Sequence, residues 1–272
     1  MPWPTIPVDS WQRFAELADR LVIAGVHESP YLLRGQSDAS WGLTPSLLRL
    51  FPTNVTPEQA LAVEKVSIVE FQAQAHLHLS AALLPRSFPG AALPEWWALM
   101  QHHLAPSRLL DWTRSPYVAA YFAVEQALAK AGAVFVVHMP AASSTFKREI
   151  PNGRVSNEQF EDLDAPKALL FWEPSKKSDR FVAQQGYFSL NVNVLGAHDA
   201  LIEASCSEAR IQNPEKLFQE KWVIPPELKL EFLRKLRVMN IAAHSLFPGI
   251  DGLGRSLGEV ARLAAVPKID AV

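Results

Sequence analysis

Between positions 115 and 124 the chain offers a helix with no polar face. Ser115-Pro116 opens it, with proline in the first turn where its missing N–H costs nothing. Tyr117-Val118-Ala119-Ala120-Tyr121-Phe122-Ala123-Val124 then runs almost wholly apolar. A helix of this kind must be buried on all sides. Leu109-Leu110-Asp111-Trp112-Thr113 before it reads as a strand, and Ala133-Val134-Phe135-Val136-Val137-His138 after it as a buried strand, with Gly132 expected to end the helix. The unit is strand–helix–strand, and the remaining elements have to cover it. Trp11, Phe14, Leu17, Leu21 and Val22 recur near helical spacing over 10–22, with Asp9 or Ser10 as cap. Residues 31–36 read as a short buried strand, 57 to about 80 as a long helix, and 94 to about 104 as another, after a loop marked by Pro85, Pro89 and Pro94. Residues 140–166 read as loop, 168–172, 187–194 and 222–225 as strands, 227–239 as a helix, with a last helix inside 241–263. No repeat or composition break divides the chain. The expectation is one α+β domain over 1–272 with a central mixed or antiparallel sheet decorated by helices. Within it, a helical part at about 1–105 would pack on a sheet-containing core at about 106–272.

Charge narrows the function classes. Lys+Arg number 26 against 28 Asp+Glu, a formal charge of −2. That balance argues against a broad basic surface for nucleic acid and leaves a confined basic pocket open. The lone Cys206 excludes an internal disulfide and cysteine-rich zinc sites and fits a reducing compartment. No run approaches the ~18 apolar residues of a membrane helix, and Met1-Pro2-Trp3-Pro4-Thr5 does not open a signal peptide. The expected address is the cytoplasm, without a membrane partner. With 21 prolines and 12 glycines, the chain is punctuated by fixed corners more than by flexible links.

Three polar clusters interrupt apolar surroundings. Arg34-Gly35-Gln36 ends the strand begun by Tyr31, where a half-buried guanidinium needs a carboxylate, a phosphate or several carbonyls. A structural pairing with Glu70 or Asp111 is the plainer alternative. Gln101-His102-His103 and Ser107 through Ser115 gather two histidines, two arginines, an aspartate and three hydroxyls. Adjacent histidines face apart on a helix, as do His76 and His78, so no metal site is expected. Asp111 is placed to orient His102 or hold Arg34, and Thr113 and Ser115 to cap the helix that follows. Arg180 through Phe188, with Gln184, Gln185 and Gly186, fits either a base-sized pocket or a β-bulge with a polar rim.

In this order the blocks resemble the FRG domain. Tyr31-Leu32-Leu33-Arg34-Gly35-Gln36, Trp41 and Pro45-Ser46-Leu47-Leu48-Arg49 are similar to its opening. Gln101 through Pro116 resembles its centre, and Arg180…Gln184-x-Gly186-x-Phe188 and Ile224-Pro225…Leu246-Phe247-Pro248-Gly249 its later blocks, over about 20 to 260. Leu104 stands where the family usually has glycine, Ser107 where it has threonine, and His103 where tyrosine is common. The motif order is also similar to the ADP-ribosyltransferase fold. That likeness implies NAD as substrate, with Arg34 on its phosphates, and Thr113 and Ser115 under the nicotinamide ribose. Tyr31, Gly35, Gln36, Arg108, Phe122 and Phe188 would line the site, and Arg34, His102, Asp111 and Gln184 would carry the chemistry. Such folds usually supply a glutamate, and Gln184 stands in that block; Glu173, Glu220 and Asp111 are the acidic alternatives, and all stay open.

The resemblance therefore implies an NAD-dependent ADP-ribosyltransferase-like effector of toxin or antiviral-defence type, acting on a nucleic acid or protein acceptor. A non-catalytic module binding a nucleotide or nucleic acid is the alternative, favoured by the non-ionising Gln184. A hydrolase or nuclease using His102 and Asp111 is a third.

Overall fold

In the computed structural model, which describes residues 3–23, 28–51, 54–81, 83–85 and 93–265, the chain begins with β1 (Thr5–Pro7), α1 (Trp11–Asp19) and β2 (Tyr31–Gln36). After a 3-10 turn at Leu48–Leu50 come α2 (Pro57–His78), α3 (Leu93–His102), β3 (Leu109–Thr113), α4 (Pro116–Val124) and β4 (Gly132–His138). Three short helices follow: α5 (Met139–Ala142), α6 (Ser144–Glu149) and α7 (Asn157–Phe160). The last part runs through β5 (Leu169–Trp172), α8 (Asp179–Ala183), β6 (Gly186–Asn191), α9 (His198–Gln212) and β7 (Gln219–Ile224), then α10 (Lys229–Val238), α11 (Ala243–Leu246) and α12 (Ile250–Ala264).

Local chemistry sets the helix starts. Ser10 accepts from the Arg13 amide at the head of α1, Thr56 and Gln59 form a capping box at α2, and Ser115 accepts from the Val118 amide at α4. Pro57 and Pro116 occupy first-turn positions of α2 and α4. The seven strands form one mixed sheet in the order β1-β7-β4-β2-β3-β6-β5. Among the described residues, only the β1–β7 pair is parallel.

The apolar α4 lies where its composition requires, buried on one sheet face with α1 and α10 around Phe14, Tyr121, Trp222 and Phe232. On the opposite face α9 and α5 cover Leu32, Trp112, Phe135 and Ile202. Around Trp97, Phe160 and Leu190, α2, α3, α6 and α7 build a third core over the β3–β6 end.

The structure departs from the sequence reading in four ways. β2 lies inside the sheet between β4 and β3, with β1 on its edge, so the first hundred residues are not a purely helical layer. The reason is alternation: Tyr31 and Leu33 enter one core and Leu32 the other, which only an interior strand allows. Residues 140–166 hold α5, α6 and α7 instead of plain loop, because His138 and Ser156 cap them and Ala142, Phe146 and Phe160 bury apolar surface. α4 ends at Val124, and Gly132 opens β4; a Cβ there would overlap the Ala123 carbonyl oxygen. Finally, α9 had no clear apolar face to announce it, and buries only His198, Ile202, Ser205 and Cys206. Pro89 and the start of the N-terminal segment, Met1-Pro2, lie outside the described residues. Among the described residues, no helix is long and apolar enough to cross a membrane.

Candidate functional site

β2 and β3 are neighbours in the sheet, yet their ladder holds a single pair, Leu33 opposite Thr113. Beyond it Arg34, Gly35 and Gln36 pair only with β4, and residues 109–112 only with β6. The sheet is thus split. Arg34 spans the gap: its Nη1 donates to the Asp111 carbonyl oxygen at 2.7 Å and lies 3.7 Å from Asp111 Oδ2. Its side chain is 15% exposed and its Nε has no hydrogen-bond partner. Burial draws the guanidinium pKa down, and Asp111 pulls it back up.

Leu110 and Trp112 point into the α5–α9 core. Alternation therefore turns Asp111 to the other face of β3, where its side chain is 58% exposed. There it lines a cleft of about 370 Å³ bounded by α3, α8, Phe188 and Pro248. Two histidines and Arg180 line the same cleft. His102 and His103 close α3 edge-to-face at 4.8 Å. His102 Nδ1 lies 3.3 Å from Ser178 Oγ, and burial, then His103, then Arg180 lower its pKa, so the imidazole is neutral at pH 7. Arg180 on α8 donates to the His102 carbonyl at 3.4 Å and stacks 4.8 Å from the Phe247 ring. Arg255 on α12 stacks on the same ring at 4.4 Å. Phe188 forms an apolar wall, with Phe181 tilted against it at 5.2 Å.

The turn presenting the histidines is strained. The Ala105 amide closes back onto the Met100 carbonyl at 2.9 Å, which places Leu104 in the left-handed region at φ +66°. This is a glycine's conformation in a helix-ending motif of this kind.

Of the residues expected at the site, His102, Asp111, Gln184 and Phe188 line the cleft, and His103 lines it beside them. Arg34 meets it through Asp111. The others have structural duties. Thr113 Oγ1 donates to the Gln184 carbonyl at 2.7 Å and accepts from the Ser115 amide, while Ser115 caps α4. Tyr31 donates to the Leu217 carbonyl at 3.0 Å in the α4-side core. Gly35 admits the α4 backbone, since a Cβ would overlap the Ala119 carbonyl oxygen. Gln36 donates to the Gly42 carbonyl at 3.3 Å. Phe122 packs edge-on against Phe247 at 6.1 Å, one ring removed from Arg180.

Arg108 is a correction: it is 1% exposed and fully engaged. It forms a two-point ion pair with Glu64, donates to the Val192 and Phe160 carbonyls, and lies 4.5 Å over Trp97. Each guanidinium nitrogen is already hydrogen-bonded within the protein, and the side chain does not line the cleft.

The acid question also narrows. Glu220 pairs with Arg20 and accepts from Trp222 Nε1, and Glu173 pairs with Lys177 at 3.0 Å. Neither lines the cleft. Gln184 does, but its amide donates to the Leu246 carbonyl at 3.0 Å. Among the cleft's carboxylates, Glu95 accepts from the Ser175 amide and Asp179 sits in the first turn of α8. Asp111 is the one the sheet carries. One neighbour escaped the sequence reading: Arg255, an ordinary-looking helix arginine with no local signal, which stacks on Phe247. Among the described residues, no group of three His, Cys, Asp or Glu is placed to hold a metal.

Residues 29–132 match the family model of the FRG domain. The match is shorter than the resemblance over about 20 to 260: it spans Arg34, His102 and Asp111 and ends before Arg180, Gln184 and Phe247. No curated protein and no solved structure matches the chain.

Proposed function

We propose that this chain binds NAD in the cleft at the sheet split and transfers its ADP-ribose, with Asp111 as the stabilising carboxylate. The observation that carries this reading is the placement of Asp111. It is a sheet-borne carboxylate beside Arg34 and within the field of Arg180, facing a cleft that His102, His103, Arg180 and Phe188 also line. A cavity near 370 Å³ is at the small end of ligand sites. It suits the nicotinamide–ribose half, with the ring against Phe188. The pyrophosphate would then run over the Arg180–Phe247–Arg255 stack at the mouth, where fork-shaped guanidinium donors match its oxygens.

In the reaction the bond between ribose C1′ and the nicotinamide nitrogen breaks, and nicotinamide leaves with the bonding pair. The cationic ribose is stabilised by the Asp111 carboxylate, fixed before the charge develops. An acceptor hydroxyl or amine, or water, forms the new bond to C1′ and gives up a proton. His102, neutral at pH 7 because burial lowers its pKa, is available to take it.

The test is chromatographic detection of nicotinamide released from NAD. Asp111→Asn should lower the rate by about 100-fold, the usual scale for losing one preorganised electrostatic partner; Arg180→Ala should mainly raise KM. No release by the wild type with water, DNA, RNA or cell protein as acceptor overturns the reading. Calorimetric binding of nucleotide without turnover would favour the second one, a sensing module, which Gln184 supports because its amide is tied to Leu246 and cannot ionise.

A further inference from the structure

Tyr121, on the apolar α4, holds its hydroxyl against two carboxylates. Glu125 Oε2, one turn further along the chain, lies 3.3 Å away, and Glu259 Oε1 of α12 is in closer hydrogen-bond contact. A phenol has one proton and can donate one bond. Glu259 takes it. Its other partners are the Ala243 amide at 3.2 Å and Arg237 Nη1 at 3.6 Å, both donors, which is the pattern of a carboxylate. Glu125 is then left facing a hydroxyl oxygen, and that contact is a hydrogen bond only when Glu125 itself carries a proton and donates it. Tyr121 keeps its own proton, because burial and then Glu125 raise its pKa. Burial likewise holds the Glu125 carboxyl above its ordinary range, against the pull of Tyr121, Arg255 and Arg262.

Glu125 is half-buried, and its neighbours connect it with the cleft mouth. Arg180 lies in the field of two carboxylates, Asp111 and Glu125. Arg255 lies in the field of Glu125. Both guanidiniums stack on the Phe247 ring, at 4.8 and 4.4 Å.

We propose that the proton on Glu125 gates oxyanion binding at the mouth of the cleft. With the carboxyl protonated, Arg180 and Arg255 are left to a phosphate of the ligand. With it ionised, the carboxylate competes for the same guanidiniums and repels the anion. This is a regulation of the cleft as read above, and it rests on the Arg180–Phe247–Arg255 stack being the phosphate site. A bound anion favours the protonated form. Affinity is therefore full below the pKa of Glu125 in the free protein, and is lost as pH rises from there to the pKa of the complex, by up to about tenfold per unit for one proton. His102 and His103 face Arg180 from α3 and also lose charge as pH rises, and His244 lies against Ser256 of α12. These rings are shared by the wild type and Glu125→Gln, so the difference between the two proteins belongs to Glu125.

Calorimetric titration of the full chain with sulfate, from about pH 5 to 9 at constant ionic strength, tests this. Sulfate keeps one charge over that range. The wild-type Kd should rise with pH, and in Glu125→Gln the rise should be smaller by up to about tenfold per unit. The glutamine amide can still donate to Tyr121, so the variant mimics the protonated state. Carbon-13 NMR should show the Glu125 carboxyl, assigned by its absence from the variant, titrating above the ordinary glutamate value and moving higher with sulfate. Equal pH slopes in the two proteins overturn the proposal, as does a Glu125 carboxyl that titrates at or below the ordinary value. A wild type that binds no sulfate at any pH overturns it too. Nicotinamide release, measured separately, decides the ADP-ribosyl reading: release with no Glu125 effect removes the gate alone, and a gated sulfate site without release removes that reading alone.

Discussion

Arg34 and Arg108 look alike in sequence, each beside a pair of leucines at the edge of an apolar strand, and their surroundings are opposite. Arg108 is enclosed by Glu64, two carbonyls and the Trp97 ring. Arg34 keeps an unpartnered Nε and one long approach to a carboxylate. The difference comes from residues far along the chain. Glu64 is 44 positions from Arg108, and nothing local announces the pairing. Residue types around the cleft were legible because polar groups interrupting apolar runs need partners; which partner each takes was not. A buried charge stripped of its partner is strongly destabilising, whereas replacing both partners by apolar groups is often harmless. Glu64→Ala should therefore cost about 3–5 kcal/mol in urea unfolding. Combining Arg108→Met with Glu64→Leu should recover most of the loss. A single-variant cost under about 1 kcal/mol would mean that water reaches the guanidinium.

At the scale of elements, strongly patterned segments were readable and weakly patterned ones were not. α4 and β4 follow from composition alone, since an all-apolar helix and strand have nowhere to lie but the interior. α9 carries alternating charges and small residues, and it is held as much by where its start is tethered as by its apolar face. β1 is three residues long, paired only along β7. The end of α3 shows a sequence departure with a structural consequence: Leu104 occupies a left-handed position at φ +66° while its side chain is 74% exposed. The leucine contributes little packing there and carries the backbone cost of that conformation, about 1–2 kcal/mol for a residue with a Cβ. Leu104→Gly should raise stability by about 1 kcal/mol, seen as a higher urea midpoint with unchanged slope. A lower midpoint would show that the glycine's greater freedom in the unfolded chain outweighs the relief of strain.

For the whole molecule, the sheet is two ladders joined by one residue pair, and what lies behind the join is a buried histidine. Trp112 Nε1 donates to Ser189 Oγ at 2.8 Å, which leaves the serine proton for His198 Nδ1 at 2.9 Å. Burial first, then the nearby Arg34 guanidinium, push the His198 pKa down to about 3. His138, which caps α5 on the same side of the sheet, is pushed down to about 4, chiefly by burial. Both rings are neutral in the folded protein and would take a proton near 6.5 once unfolded. Below pH 6.5 the unfolded chain thus binds more protons, and stability falls with pH, down to about 4 for His138 and about 3 for His198. One such site loses up to about 1.4 kcal/mol per pH unit, so His198 alone should account for about 2 kcal/mol between pH 6.5 and 5. The α5–α9 layer and the Trp112 side of the split should loosen first. Urea unfolding at pH 7 and pH 5, with tryptophan fluorescence as one probe, should show this loss. In His198→Gln, whose amide can still meet Ser189, the pH dependence should shrink by about one proton, whatever the variant's stability at pH 7. An unchanged acid slope in that variant would mean that His198 is already charged, and that the Arg34 side of the split is wetter than its hydrogen bonds imply.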